Sequence, residues 1–233
     1  MKLRFLLAML AATLAVPAAA PAQRHHAAPA AQRDWTRMVV ATPEGGFRMG
    51  NPAAAIKLVE YGSITCPHCA AFAAEGVPTV RDSYVRSGRM SWEYRPYMLF
   101  PTDPGIFMLL RCQGAAGFFP SIEQLYATQH DWVGRLQAAD EAQLTRLRAM
   151  PPLARSAAAM HIIGMDDFFR RRGMTQARLD ACLADQAGLD RLAAMNQAAG
   201  ARGVQGTPTF FLNGAKLDNV YDWAALQPHL PAR

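Results

Sequence analysis

Cys66 and Cys69, separated only by Pro67 and His68, are the residues of this chain best suited to chemistry. Two cysteines at that spacing can hold a metal as thiolates or open and close as a disulfide. Their context favours the second. In the run Leu58-Val59-Glu60-Tyr61-Gly62-Ser63-Ile64-Thr65-Cys66, Val59 and Tyr61 supply strand propensity. Gly62 and Ser63 loosen the exit. Thr65 is a candidate N-cap, and Pro67 suits a first helical turn, where a missing N–H costs nothing. The cysteines therefore fall on the first turn of a helix that follows a buried strand. The free N–H groups and partial positive charge at such a turn stabilise a thiolate. Cys66 is expected to be the exposed sulfur of low pKa, and Cys69 the shielded one a turn further in. His68 can add a donor or a positive charge. A stabilised thiolate stabilises the dithiol, which makes the matching disulfide a strong oxidant.

Cys-Pro-His-Cys after a strand ending Val-Glu-Tyr-Gly-Ser resembles the active site of DsbA-type thiol–disulfide oxidoreductases. The resemblance covers roughly Phe47 to the C-terminus and has a second signature in Gly206-Thr207-Pro208-Thr209-Phe210. It implies an α/β thioredoxin fold, a central mixed β-sheet flanked by helices, with an inserted all-helical subdomain. It also implies that Pro208 is a cis-proline facing the two cysteines. There the backbone of Thr207 would be open to an extended substrate segment, with no competing N–H on Pro208. Glu60 matches the buried acid beneath the second cysteine of such sites. Buried and unpaired, its carboxyl should titrate high and could relay the Cys69 proton; the alternative is an exposed glutamate at a strand edge. Such an acid can pair with a base on the next strand, for which Arg89 is the nearest candidate. Thr207 departs from the DsbA prototype, which has valine there, and points as well toward isomerases.

The chain has 233 residues and a formal net charge of +6. Its basic residues are scattered and form no stripe interleaved with aromatics, so no nucleic-acid surface is expected. Met-Lys-Leu-Arg, then an apolar run from Phe5 and the small residues at Ala20 and Ala22, reads as a secretory signal over 1–22, cleaved after Ala22 or else after Ala20. Retention of that run as an anchor is the alternative. Residues 23–34 read as a polar, flexible tether, and His25-His26 within it as weak metal donors. These features imply export, with the periplasm as the natural and oxidising address.

From Trp35 a lead-in segment is expected to reach a Gly45-Gly46 turn and a short strand Phe47-Arg48-Met49. A first central strand follows at Ile56–Tyr61, then the cysteine helix, interrupted near Gly76 and Pro78 and closed at Gly88. Met90–Arg95 alternates as a second strand beside the first, so 35–102 forms the first half of the sheet. The segment 103–186 reads as helical, divided at Gly117, Pro120, Gly134, Pro151-Pro152, Gly164 and Gly173. The remaining 187–233 gives a helix, a hairpin on Asn213-Gly214 and a closing helix from Asp222. Cys112 and Cys182, on separate helices, suit a structural disulfide contributing on the order of 4 kcal/mol; two free thiols or a second redox pair are the alternatives. Met108, Met150 and Met160 fall at helical spacings and read as core filler.

The sequence thus points to a protein-disulfide oxidoreductase, most simply a dithiol oxidase for exported proteins. Cys66, Cys69, Pro67, His68 and Glu60 would form its reactive site, and Thr207 and Pro208 its substrate contact. By resemblance a DsbB-like, quinone-coupled membrane protein would re-oxidise it. No cofactor or metal is implied, and a monomer is expected. A reductase or isomerase on the same fold, a Cu(I) chaperone using Cys66, His68 and Cys69, and a binding domain with purely structural cysteines are the rival readings.

Overall fold

The computed structural model describes residues 33–232. The expected leader, its cleavage site and His25-His26 lie outside them. A six-stranded sheet, ordered β1-β2-β4-β3-β5-β6, forms its spine. The strands are β1 (Val39–Ala41), β2 (Phe47–Gly50), β3 (Ile56–Gly62), β4 (Met90–Pro96), β5 (Thr209–Leu212) and β6 (Ala215–Lys216). Only β3 and β4 run parallel; the other neighbours are antiparallel. Between them the chain passes through α1 (Pro67–Glu75), α2 (Val77–Thr79) and a wide-turned helical segment (Val80–Val85). Gly88, at φ +81°, then reverses it toward β4, a conformation that suits glycine.

Register decides which side chains share a face. Glu60 lies between Tyr94 of β4 and Phe210 of β5. With Leu58 and Trp92 these residues form one face, packed on Phe72 of α1 and on Phe118 and Phe119. The opposite face carries Val59, Tyr61, Glu93, Arg95 and Phe211. There a smaller core joins Tyr61 and Phe211 to Ala199 and Val204. This alternation follows from the two-residue period of a strand.

The helical block comprises α3 (Asp103–Gln113), α4 (Ala115–Ala127), α5 (Gln129–Gln137), α6 (Glu141–Ala149), α7 (Pro152–Ile163), α8 (Met165–Arg170) and α9 (Gln176–Leu183). Helix α10 (Gln186–Ala201) then covers the Tyr61 face, and α11 (Trp223–Leu226) follows the hairpin, capped by Asp222. Three expected breaks do not occur. Gly117 and Pro120 lie inside α4, and Gly134 lies inside α5; the chain divides instead at Gly114 and Thr128. Pro120 removes one backbone donor, but Phe118, Phe119, Ile122 and Leu125 are all buried by the same helix, and tertiary burial outweighs local propensity. The lead-in segment also differs, because Val39–Ala41 pairs with Phe47–Met49 as an edge hairpin. No described helix is long and apolar enough to cross a membrane.

Candidate active site

Cys66 is the N-cap of α1, and no side chain caps the helix. Thr65 does not take that role. Its N–H and hydroxyl both go to Asp103 (3.2 and 2.8 Å), so the free N–H groups of the first turn are left to the Cys66 sulfur. The two cysteines are unbridged. Burial differs from expectation: Cys66 is 5% exposed rather than open, although Cys69 is more enclosed at 0%.

The two sulfurs are electrostatically unequal. Cys66 is lowered from 9.0 to about 5. The Cys69 thiol beside it contributes most, followed by Thr207 and by the backbone N–H groups of Cys69 and His68, against burial, which acts upward. Burial, then the donation to Cys66, then the nearby Glu60 charge push Cys69 well above its ordinary value. Only one of the pair can ionise readily.

The Thr207–Pro208 peptide is cis, and Pro208 is buried. The Thr207 carbonyl accepts from the Cys66 thiol at 3.2 Å. The buried Thr207 hydroxyl has no hydrogen-bond partner and is available to the Cys66 thiolate, whose pKa it helps to lower. Pro67 and His68 are exposed on the rim. What His68 contributes to Cys66 is its backbone N–H, not its ring.

Glu60 is buried, 1% exposed, and its Oε2 accepts one hydrogen bond, from Trp92 Nε1 at 3.1 Å. Burial pushes its carboxyl up to about 8 despite that bond. Arg89 is not its partner. It precedes β4, stacks over the Tyr84 ring and donates to Ser87 and to the Ala232 carbonyl.

The helical block supplies groups that sequence reasoning did not find. Buried Asp103 accepts from Ser63 Oγ, from Thr65 and from the N–H groups of Leu99 and Phe100 (2.8–3.2 Å). Tyr126 donates to the Ser63 carbonyl at 3.0 Å and meets the Tyr94 hydroxyl at 2.7 Å. Gln129 Nε2 donates to the carbonyls of Ile64 (2.7 Å) and Cys66 (3.0 Å). Residues 63–66 are thereby fixed from outside the strand and helix they connect. Gly62 belongs to the same arrangement, because a Cβ there would lie 2.5 Å from Tyr94 Oη. The signal for Asp103 was its place at the start of a predicted helix; Gln129 and Tyr126 had none.

Cys112 and Cys182 form a disulfide between α3 and α9, with Cα atoms 6.1 Å apart. Met108 and Met160 are buried core residues. No cluster of metal-ligating side chains occurs among the described residues.

A family model described as thioredoxin matches residues 42–231. The chain belongs to the thioredoxin family. It is similar to a Novosphingobium aromaticivorans structure named a protein-disulfide isomerase, with a TM-score of 0.74 and 33% identity over 78% of this chain and 93% of that one. Wolbachia pipientis alpha-DsbA1 gives a TM-score of 0.58 at 19% identity, covering 78% and 87% of the two chains; that likeness shows the fold alone, which is DsbA-like. A Rickettsia bellii protein provisionally named a protein-disulfide oxidoreductase is 25% identical over 178 residues, 76% of this chain and 60% of that protein. This thioredoxin-family chain thus spans about 60% of the length of such curated relatives.

Proposed function

We propose that this chain is a protein-disulfide oxidoreductase working chiefly as a dithiol oxidase on exported proteins. The observation that carries the reading is the split between Cys66, lowered to about 5, and Cys69, raised, at one helix start. In the oxidising direction a client thiolate attacks Cys66 Sγ of the enzyme disulfide. The Cys66–Cys69 bond breaks, and Cys69 leaves as a thiolate that takes a proton from neutral Glu60. A second client thiolate then attacks the client sulfur of the mixed disulfide. Cys66 departs as its stabilised thiolate, and two electrons have passed from client to enzyme. A quinone-coupled membrane protein of DsbB type would return the enzyme to its disulfide.

Two features support protein clients and export. Beside Pro67 a largely apolar hollow of about 490 Å³ is lined by Phe100, Pro101, Val133 and Leu136, and Leu99 and Phe100 are exposed next to it. The leader-like N-terminus and the Cys112–Cys182 disulfide suit the periplasm. Thr207 and the name of the Novosphingobium relative favour a second reading, isomerase.

The test is catalysed disulfide formation in a reduced protein client, beside rescue of a scrambled one. The oxidase reading expects rapid oxidation by wild type, none by Cys66→Ser, and a trapped mixed disulfide with Cys69→Ser. It also expects a reduction potential toward the DsbA end of the scale, about −120 mV. A potential near that of thioredoxin, about −270 mV, would replace it with a reductase, whereas rescue of the scrambled client without net oxidation would replace it with the isomerase reading.

A further inference from the structure

On the sheet face away from Glu60, β4, α3, α10 and the turn between β1 and β2 enclose a cavity of about 500 Å³. Four arginines line it, Arg95, Arg111, Arg191 and Arg202, with Glu44 at the rim and Tyr61 in the wall. Arg95 is committed: Nε and Nη2 donate to the Glu93 carboxylate and Nη1 to the Tyr61 hydroxyl, and Glu44 Oε1 lies 3.6 Å from Nη2. The other three are not. Arg111 donates to the Gly45 carbonyl, and Arg202 lies over the Phe211 ring at 4.5 Å. Among the described residues no carboxylate forms an ion pair with Arg111, Arg191 or Arg202. Burial, and then the charge of Arg191, hold the Arg111 guanidinium below its ordinary value. A second hollow of about 240 Å³, bordered by Asp185 and the Cys112–Cys182 disulfide, shares Arg111 and Arg191 with the first. The half-buried Arg111 sits against the charge of the exposed Arg191 with no carboxylate paired to either, an arrangement that a bound anion would relieve.

We propose that this cavity binds a small polyanion, a molecule carrying two or more carboxylate or phosphate groups. Its volume is that of a small-molecule site. Guanidinium forks match both anion types through paired N–H donors, and Arg111 with Arg191 would take one such group. Arg202, on the far side of α10's apolar Ala194 and Ala198, would take the other, with that apolar stretch against the ligand's carbon skeleton. The Tyr61 hydroxyl accepts from Arg95, so its own hydrogen is left to donate into the cavity. The site is independent of the exchange reaction proposed above, since none of its residues belongs to the cysteine site.

Calorimetric titration of the full chain with pyrophosphate and with citrate, against chloride at matched ionic strength, tests the proposal. One-site saturable binding of either probe is expected. It should weaken about 10-fold or more in Arg191→Glu and in Arg202→Glu, with disulfide exchange unchanged. Preference for pyrophosphate would identify a phosphate ligand, and preference for citrate a carboxylate. Both variants alter exposed positions, so they avoid the risk of Arg111→Ala, which removes the contact to Gly45. No saturable binding of either probe, or binding untouched by both reversals, would overturn the proposal.

Discussion

Glu60 on β3 and Glu93 on β4 are buried glutamates of one sheet, on adjacent strands and opposite faces. On the cysteine side, Glu60 meets an apolar layer and a single neutral donor, Trp92 Nε1. Across the sheet, both oxygens of Glu93 are occupied: Oε1 accepts from Thr42 Oγ1 and Arg95 Nε at 2.7 Å, and Oε2 from Arg95 Nη2 at 3.0 Å. A guanidinium beside a buried carboxylate supplies counter-charge and hydrogen bonds; a carboxyl buried without one is pushed up and keeps its proton. The first arrangement ties β3, β4 and the β1–β2 turn together. The second leaves a protonated carboxyl near Cys69, the proton source in the exchange proposed above. The strand period assigns each glutamate to its face, and the neighbours on that face decide whether it holds structure or serves chemistry.

Glu93→Ala breaks the contrast most severely. It leaves Arg95, whose side chain is 8% exposed, with only the rim carboxylate of Glu44 at 3.6 Å, and should cost about 3–5 kcal/mol in chemical denaturation. Glu60→Gln should act in the opposite direction. An acid raised from 4.5 to about 8 stays protonated in the folded state while the unfolded chain releases its proton. Stability therefore falls as pH rises through that window. Glutamine still accepts from Trp92 but has no proton to lose. The variant should gain on the order of 3 kcal/mol at pH 7 and show a flatter pH profile, while exchange slows because Cys69 loses its proton donor. Trp92→Phe sharpens the contrast by removing the one donor. The Glu60 midpoint should move further up, read from its infrared carboxyl band, with a stability loss of about 1–3 kcal/mol. A fourth prediction concerns redox linkage. Cys66, depressed from 9.0 to about 5, favours the folded dithiol increasingly as pH rises from about 5 to 9. The stability of the reduced protein should rise relative to the oxidised one across that window.

Much of the cysteine site was legible because its elements are local. Pro67 at a helix start, Cys66 and Cys69 one turn apart, Glu60 within an apolar strand and Asn213-Gly214 between two short strands each carry a signal within a few residues. What escaped reading depends on distant partners. Thr65 looked like a cap, yet its groups go to Asp103, 38 positions away. Cys66 looked exposed, yet Thr207, 141 positions away, sits against it. Glu93 and Arg95 read only as part of an alternating strand, because their pairing depends on which face α10 covers. Gly117 and Pro120 carried breaker signals that the burial of Phe118 and Phe119 overrides. Val39–Ala41 was too short to declare itself a strand.

The most direct measurement is the pH titration of the reduced cysteines in a Cys112→Ser/Cys182→Ser background, followed by ultraviolet thiolate absorbance and by alkylation rate. The unequal-sulfur account predicts one thiolate, Cys66, half-formed near pH 5, with Cys69 protonated throughout the neutral range. Two thiols titrating together near the ordinary 9.0 would contradict it, and with it the proposal that this site drives disulfide formation.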